Sequence, residues 1–300
     1  MALSTLKNIF RIQYVSDLHL EMYKISPIFT TLVKPCCKYL ALAGDIGHPQ
    51  DDHWKNFFYY VSKEWQHIFY VPGNHEYYNK NSIHKWKYNK PTTFTERNLE
   101  IKKSLKEYKN ITLLDTENPV FHLSKENITI IGSTLWSYIP IDKQTYITKY
   151  MNDYNYIAID DLNTISPKDI NKMWSEQRKI ISDEITLWTL QKKNIIVLTH
   201  HLPSFELINE KYKNSEINYG FASNCEDLLT NNVKAWIYGH THFTSENIIR
   251  NTKFVVNPRG YQFENHEGFS NEKYIEIDLD NEEESNNAAD LELSIASIGN

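Results

Sequence analysis

Five short apolar runs, each stopping at a cluster of glycine and polar residues, constrain this chain more than any other feature. They cover residues 12–16 before Asp17, 39–43 before Gly44 and Asp45, and 68–71 before Gly73, Asn74 and His75; the last two are 195–199 before His200 and His201, and 235–238 before Gly239 and His240. Short apolar runs bounded by turn formers have the pattern of strands buried on both faces. Between them, residues 52–65, 94–108, 166–190 and 223–229 carry helical periodicity, the third with Pro167 in its first turn. Alternating strand and helix predicts a largely parallel sheet with helices outside, with ligands gathered at the carboxyl ends of the strands. Every polar cluster falls at such an end.

Further strand-like segments at 111–114, 120–123, 128–134, 254–256 and 274–279 suffice for a second sheet packed on the first. The reading is therefore α/β, a single domain over 8–279. Two stretches interrupt it: 79–95 is basic and aromatic, and 138–165 is rich in Tyr, Asp and Asn, and both are expected near the site as loops. Residues 280–300 open with Asn281, Glu282, Glu283 and Glu284 and read as an acidic, disordered tail.

The strand ends carry the chemistry. Asp17 and His19 are two apart, so on an extended chain both side chains face one way and can grip one ion. Asp45, Asn74, His200, His240 and His242 add oxygen and nitrogen donors, and Gly44, Gly73 and Gly239 precede three of these groups. Singly, each has an ordinary use as a cap, a turn former or a core histidine. Together, five successive strand ends deliver ligands suited to divalent cations; with no thiolate among them, Mn, Fe or Zn fits.

Asp17-x-His19, Gly44-Asp45, Gly73-Asn74-His75-Glu76, His200 and Gly239-His240-x-His242, in that order, resemble the signature of the calcineurin-like metallophosphoesterase superfamily. The resemblance spans residues 12–242 and implies a two-sheet α/β/β/α sandwich. It also implies two divalent metal ions. One would take Asp17, His19, Asp45 and His242, the other Asp45, Asn74, His200 and His240, with Asp45 bridging.

Ester chemistry at an anionic phosphate needs positive charge on the phosphoryl oxygens and a deprotonated water, which two cations about 3.5–4 Å apart supply. The expected reaction is hydrolysis of phosphomonoesters or phosphodiesters by hydroxide held between the metals, with His75 as the general acid at the leaving oxygen. Arg259, His201 and His48 are candidate substrate contacts. His48 stands where some relatives place an acidic residue that pairs with the catalytic histidine, which separates this chain from the protein-phosphatase branch.

A nuclease and a non-catalytic scaffold of the same fold are the alternatives. Lys80, Lys85, Lys87 and Lys90 with Trp86, Tyr88 and Phe94 would serve the nuclease as a phosphate-and-stacking surface. Against it stands the formal charge of −6, which argues for a small-molecule phosphate ester. With no signal-like or membrane-length apolar segment and three cysteines, Cys36, Cys37 and Cys225, in no disulfide-like pattern, the chain reads as a cytoplasmic protein.

Overall fold

The computed structural model describes residues 8–86, 89–264 and 267–279. The acidic segment 280–300, together with Lys87 and Tyr88 of the basic cluster, lies outside the described residues.

Eleven strands form two sheets among the described residues. They are β1 Ile9–Val15, β2 Tyr39–Ala43, β3 His67–Val71, β4 Ile111–Leu113, β5 Val120–Leu123, β6 Ile128–Ser133, β7 Asn194–Thr199, β8 Val233–Tyr238, β9 Ser245–Ile249, β10 Thr252–Val256 and β11 Tyr274–Asp278. The first sheet runs β11-β1-β2-β3-β4, parallel except for β11. The second runs β5-β6-β7-β8-β10-β9, parallel except for its two outermost strands. The α-helices are α1 Phe29–Leu32, α2 Asp52–Glu64, α3 Phe94–Leu105, α4 Gln144–Tyr150, α5 Asp153–Tyr156 and α6 Pro167–Leu190.

Successive side chains of a strand point to opposite faces, and this sorts the apolar runs into three cores. In β2, Tyr39, Ala41 and Ala43 join Ile196 and Leu198 of β7 in the layer between the sheets. Leu40 and Leu42 face the other way, toward Trp54, Phe57 and Phe58 of α2 and Ile101 of α3. Ile195 and Val197 of β7 face Ile181 and Ile185 of α6. The result is the expected α/β/β/α sandwich. Its two long flanking helices start where the sequence signals lie: α3 opens on a Thr93–Glu96 capping box and α6 on a Ser166–Asp169 box with Pro167 in the first turn.

Two readings need correction, and one strand was not foreseen. Residues 223–229 form only a 3-10 turn, Glu226–Leu228, because the amides of Ser223 and Cys225 donate to the carbonyls of Leu202 and Pro203 rather than into a helix. Strand β9 has no apolar run to announce it, since its residues are only half-buried or exposed. It is fixed by a two-residue hairpin in which Arg250 and Asn251 both take positive φ, 46° and 68°, as a turn matching the strand twist requires. The stretch 138–165 is not plain loop: it contains α4 and α5.

Candidate metal centre

All seven proposed ligands sit at the carboxyl ends of the strands, where the two sheets meet. Four of them adopt the left-handed backbone region that side chains beyond glycine avoid: Asp17 (φ 54°), His19 (46°), Asp45 (52°) and His240 (68°). Neighbouring loops hold them there. The amide of Asp17 donates to the Gly44 carbonyl at 3.0 Å, and that of His19 to the Asp45 carbonyl at 2.9 Å. Gly73 allows the closest approach, since a Cβ on it would lie 2.1 Å from Asp45 Oδ1. Glu76, buried beneath, accepts from the amides of Asp45, Ile46 and Gly73 and from the Tyr70 hydroxyl, tying the second and third strand ends together.

Four of the ligands, His19, His242, His200 and Asn74, are aimed by a partner on the far side. His19 Nδ1 donates to Glu21 Oε1 at 3.1 Å, His242 Nδ1 to Glu264 Oε2 at 2.7 Å, and His200 Nδ1 to the Ala43 carbonyl at 2.8 Å. The Asn74 amide donates to Asp153 Oδ1 at 2.8 Å, which turns its oxygen inward. Such partners fix both the tautomer and the orientation of a metal ligand.

The consequence is a set of acceptor atoms facing one another. With both Nδ1 atoms committed as donors, His19 Nε2 and His242 Nε2 present lone pairs only 3.0 Å apart. His200 Nε2 faces the acceptors Asn74 Oδ1 at 3.1 Å and Asp45 Oδ1 at 3.4 Å, a place for a proton or a cation; burial opposes a charge on this ring, but Asp45 outweighs it and lifts its pKa to about 9. His240 Nδ1 lies 3.1 Å from the same His200 nitrogen, and its buried Nε2 has no partner. Converging lone pairs in a buried place repel unless a cation lies among them. Asp17, His19 and His242 form one such group, and Asp45, His200 and His240 a second. The residues present fit divalent metal ions.

His75 stands beside this cluster. Its Nδ1 donates to Glu21 Oε1 at 3.0 Å, the same oxygen that His19 uses, and its Nε2 lies 3.1 Å from the Tyr261 hydroxyl. Burial opposes a charge on His75, but Asp45 and then Glu21 outweigh it and lift its pKa to about 9. Burial would raise the Glu21 carboxyl, yet the two histidines hold it down at about 2.

The proposed substrate contacts fall elsewhere. Arg259 sits at the turn after β10 with its guanidinium 5.6 Å from the Phe269 ring centre, and Tyr261, two residues on, takes the place in the cleft. His201 is buried behind His240, ring centres 4.3 Å apart, where burial and His200 lower its pKa to about 3. His48 donates to the Tyr78 carbonyl, outside the residues that line the cleft. The acidic partner that its position lacks is supplied to His75 by Glu21.

The basic loop also differs from the expected stacking surface. Lys80 pairs with Asp51 and Lys90 with Asp161, Trp86 is buried with its indole donating to the Asn81 carbonyl, and none of them lines the metal cleft.

An α/β/β/α sandwich with a carboxylate–histidine–amide cluster at its strand ends defines the class of metal-dependent phosphoesterases. Within it, the model of the calcineurin-like phosphoesterase family matches residues 10–243, and the chain belongs to that family. An uncharacterised protein of Acanthamoeba polyphaga mimivirus is 36% identical over 285 residues, covering 89% of this chain and 96% of its own length. Among solved structures, the phosphopantetheinyl hydrolase of Mycobacterium tuberculosis superposes with a TM-score of 0.62 at 16% identity, over 83% of this chain and 89% of that one. At that identity the likeness speaks for the fold. No described helix is long and apolar enough to cross a membrane.

Proposed function

We propose that the cleft hydrolyses phosphomonoesters or phosphodiesters with two divalent cations, one held by Asp17, His19, Asp45 and His242 and the other by Asp45, Asn74, His200 and His240. The observation that carries the binuclear reading is the Asp45 carboxylate, whose Oδ1 lies 3.4 Å from His200 Nε2 while Oδ2 lies 3.9 Å from His19 Nε2. One side chain thus faces both groups. When bound, the cations supply positive charge at the phosphoryl oxygens and lower the pKa of water. An all nitrogen-and-oxygen donor set suits Mn, Fe or Zn.

His75 does the proton work at the leaving oxygen. Glu21 fixes its ring from one side, and Tyr78, stacked at 4.3 Å, from another, so that Nε2 points toward the Tyr261 hydroxyl in the cleft. A protonated His75 donates from this nitrogen to the departing alkoxide. The lysine pairings in the basic loop weaken the nuclease alternative, and a scaffold without turnover has no use for an aimed His75.

A panel of chromogenic monoesters and diesters, assayed with Mn²⁺, Fe²⁺, Zn²⁺ or chelator, tests the proposal. His75→Ala is expected to lower kcat by about 10²–10⁴-fold while metal content stays near that of the parent. Loss of the ions in that variant would assign His75 to holding the site instead.

A further inference from the structure

The cleft above the cluster has a volume of about 650 Å³, a size that holds a small organic ligand. Its outer wall comes from two segments of the second half of the chain, 144–153 and 205–221. An ion pair at 2.7 Å between Lys143, just before the first segment, and Glu216 ties them together, and Gly220 packs so closely on Met151 that a Cβ would lie 1.9 Å from the sulfur.

The mouth of this cleft is aromatic. Tyr150 and Tyr212 are each 53% exposed and Phe243 is 48% exposed, and they reach the rim from three separate segments. Large half-exposed side chains grouped at one opening form a surface suited to being covered; Tyr146 and Lys149 already pack against Tyr150, and Lys211 against Tyr212, which leaves the remaining ring surface for a ligand. Deeper in, Phe221 is stacked on His240 with ring centres 4.4 Å apart, so aromatic faces run from the rim to the metal ligands. Planar rings favour planar partners.

Fixed positive charge is scarce by comparison. Among the described residues lining the cleft, Lys211 is the one lysine or arginine, and its ammonium lies 5.2 Å from the Tyr212 ring centre. Glu264, on the same wall, is acidic. Once one phosphate is seated on the cations, a second and third phosphate of a polyphosphate would meet only Lys211 in the lining and, at the rim, Lys149, whose ammonium lies 5.1 Å from the Tyr150 ring centre. A nucleic-acid strand would find no basic track there.

Building on the phosphoesterase reading above, we infer that the substrate is an ester of a single phosphate carrying a planar aromatic substituent of up to nucleoside size, which stacks on the rim formed by Tyr150, Tyr212 and Phe243. Polyphosphates, strands and simple aliphatic esters are selected against.

The test uses diesters sharing one aliphatic leaving group, ethanethiolate read with a thiol reagent: the O-methyl, O-phenyl and O-(thymidine-5′-yl) S-ethyl phosphorothiolates, each with saturating Mn²⁺. With kcat/KM divided by the uncatalysed rate, the phenyl and thymidine esters are expected to exceed the methyl ester by about tenfold or more, as one stacking contact supplies. Tyr212→Ala and Phe243→Ala should each pull that ratio toward one, mainly through KM. Tyr212→Phe should restore it, because the ring and not the hydroxyl is used. A ratio within one preparation does not depend on how much of a variant is folded. Equal corrected values for all three esters in the parent protein, or a ratio that neither alanine changes, overturn the inference while leaving the phosphoesterase reading intact. No turnover of any of them with Mn²⁺, Fe²⁺ or Zn²⁺ overturns the inference, and a further lack of turnover of the monoester 4-nitrophenyl phosphate overturns the phosphoesterase reading as well.

Discussion

Replacing Glu21 by glutamine removes one charge from the centre of this arrangement and little else. Glu21 Oε1 accepts from His19 at 3.1 Å and from His75 at 3.0 Å, and an amide oxygen has the lone pairs to keep both bonds. What disappears is the charge assistance. A hydrogen bond to a charged group contributes about 1.5–3 kcal/mol and is roughly twice as strong as a neutral one, so each histidine loses about 1 kcal/mol.

For His75 this loss acts on its protonated form, the form that donates to the leaving group. Since 1.4 kcal/mol is a factor of ten, kcat is expected to fall about five- to tenfold. The sign of the pH effect follows from the same charge. Glu21 helps raise the His75 pKa, so without it the proton leaves at lower pH, and the alkaline limb of kcat should move down by a little under one unit. The weakened His19 should also loosen metal binding about tenfold or more, so the assay requires Mn²⁺ titrated to a plateau, with metal content measured in parallel. If Glu21→Gln at saturating Mn²⁺ matched the parent in kcat and in its alkaline limb, Glu21 would serve only His19 and the reasoning about His75 would fail.

Two further outcomes follow from the same geometry. Asp153→Ala deprives the Asn74 amide and the Tyr78 hydroxyl of their shared acceptor, freeing the Asn74 oxygen to turn away; metal affinity is expected to drop about 10–100-fold, read by titration with Mn²⁺. Because the ligand cluster is assembled only in the folded chain, Mn²⁺ at about 100 times its dissociation constant should stabilise the fold by about 2.7 kcal/mol per site. A thermal scan against chelator should therefore show a rise of about 5 °C or more, and an unchanged Tm would contradict the metal-site reading.

The central strands and the seven ligand candidates were legible in the sequence because local signals sufficed. Unbroken apolar runs and glycine-led strand ends need no knowledge of what packs where. The partners that aim those side chains were not. Glu21, Asp153 and Glu264 look like ordinary surface acids, and Asp153 lies 79 positions from the Asn74 it orients, a pairing created only when α5 docks beside the third strand end. Glu21 had a local clue in its spacing two residues beyond His19, the step that places side chains on one face of a strand. The chain there is not a strand but a left-handed residue followed by a short 3-10 turn at Leu20–Met22, so the clue would have given a correct neighbour for an incorrect reason.

Arg259 and His201 show how little nearness to a motif in sequence says about placement in the site. Both are polar and stand near motif residues, yet the turn at Gly260, with φ 68°, carries the chain so that Tyr261 and not Arg259 meets the centre. Strand β9 escaped because the signal for its hairpin lies in the backbone conformation of Arg250 and Asn251, which residue type alone specifies weakly.

The left-handed backbone at Asp17, His19, Asp45 and His240 bears on how such a chain can change over time. Each position costs about 1–2 kcal/mol relative to glycine, a standing load that the Asp17 and Asp45 carboxylates offset in part by accepting from the amides of His240 and His75. A descendant that abandoned hydrolysis would be released from this strain by drifting to glycine at these four sites, at the cost of the buried contacts that the side chains make. Retention of bulky ligands there is therefore a mark of working chemistry, readable in any newly sequenced relative before a single assay is run.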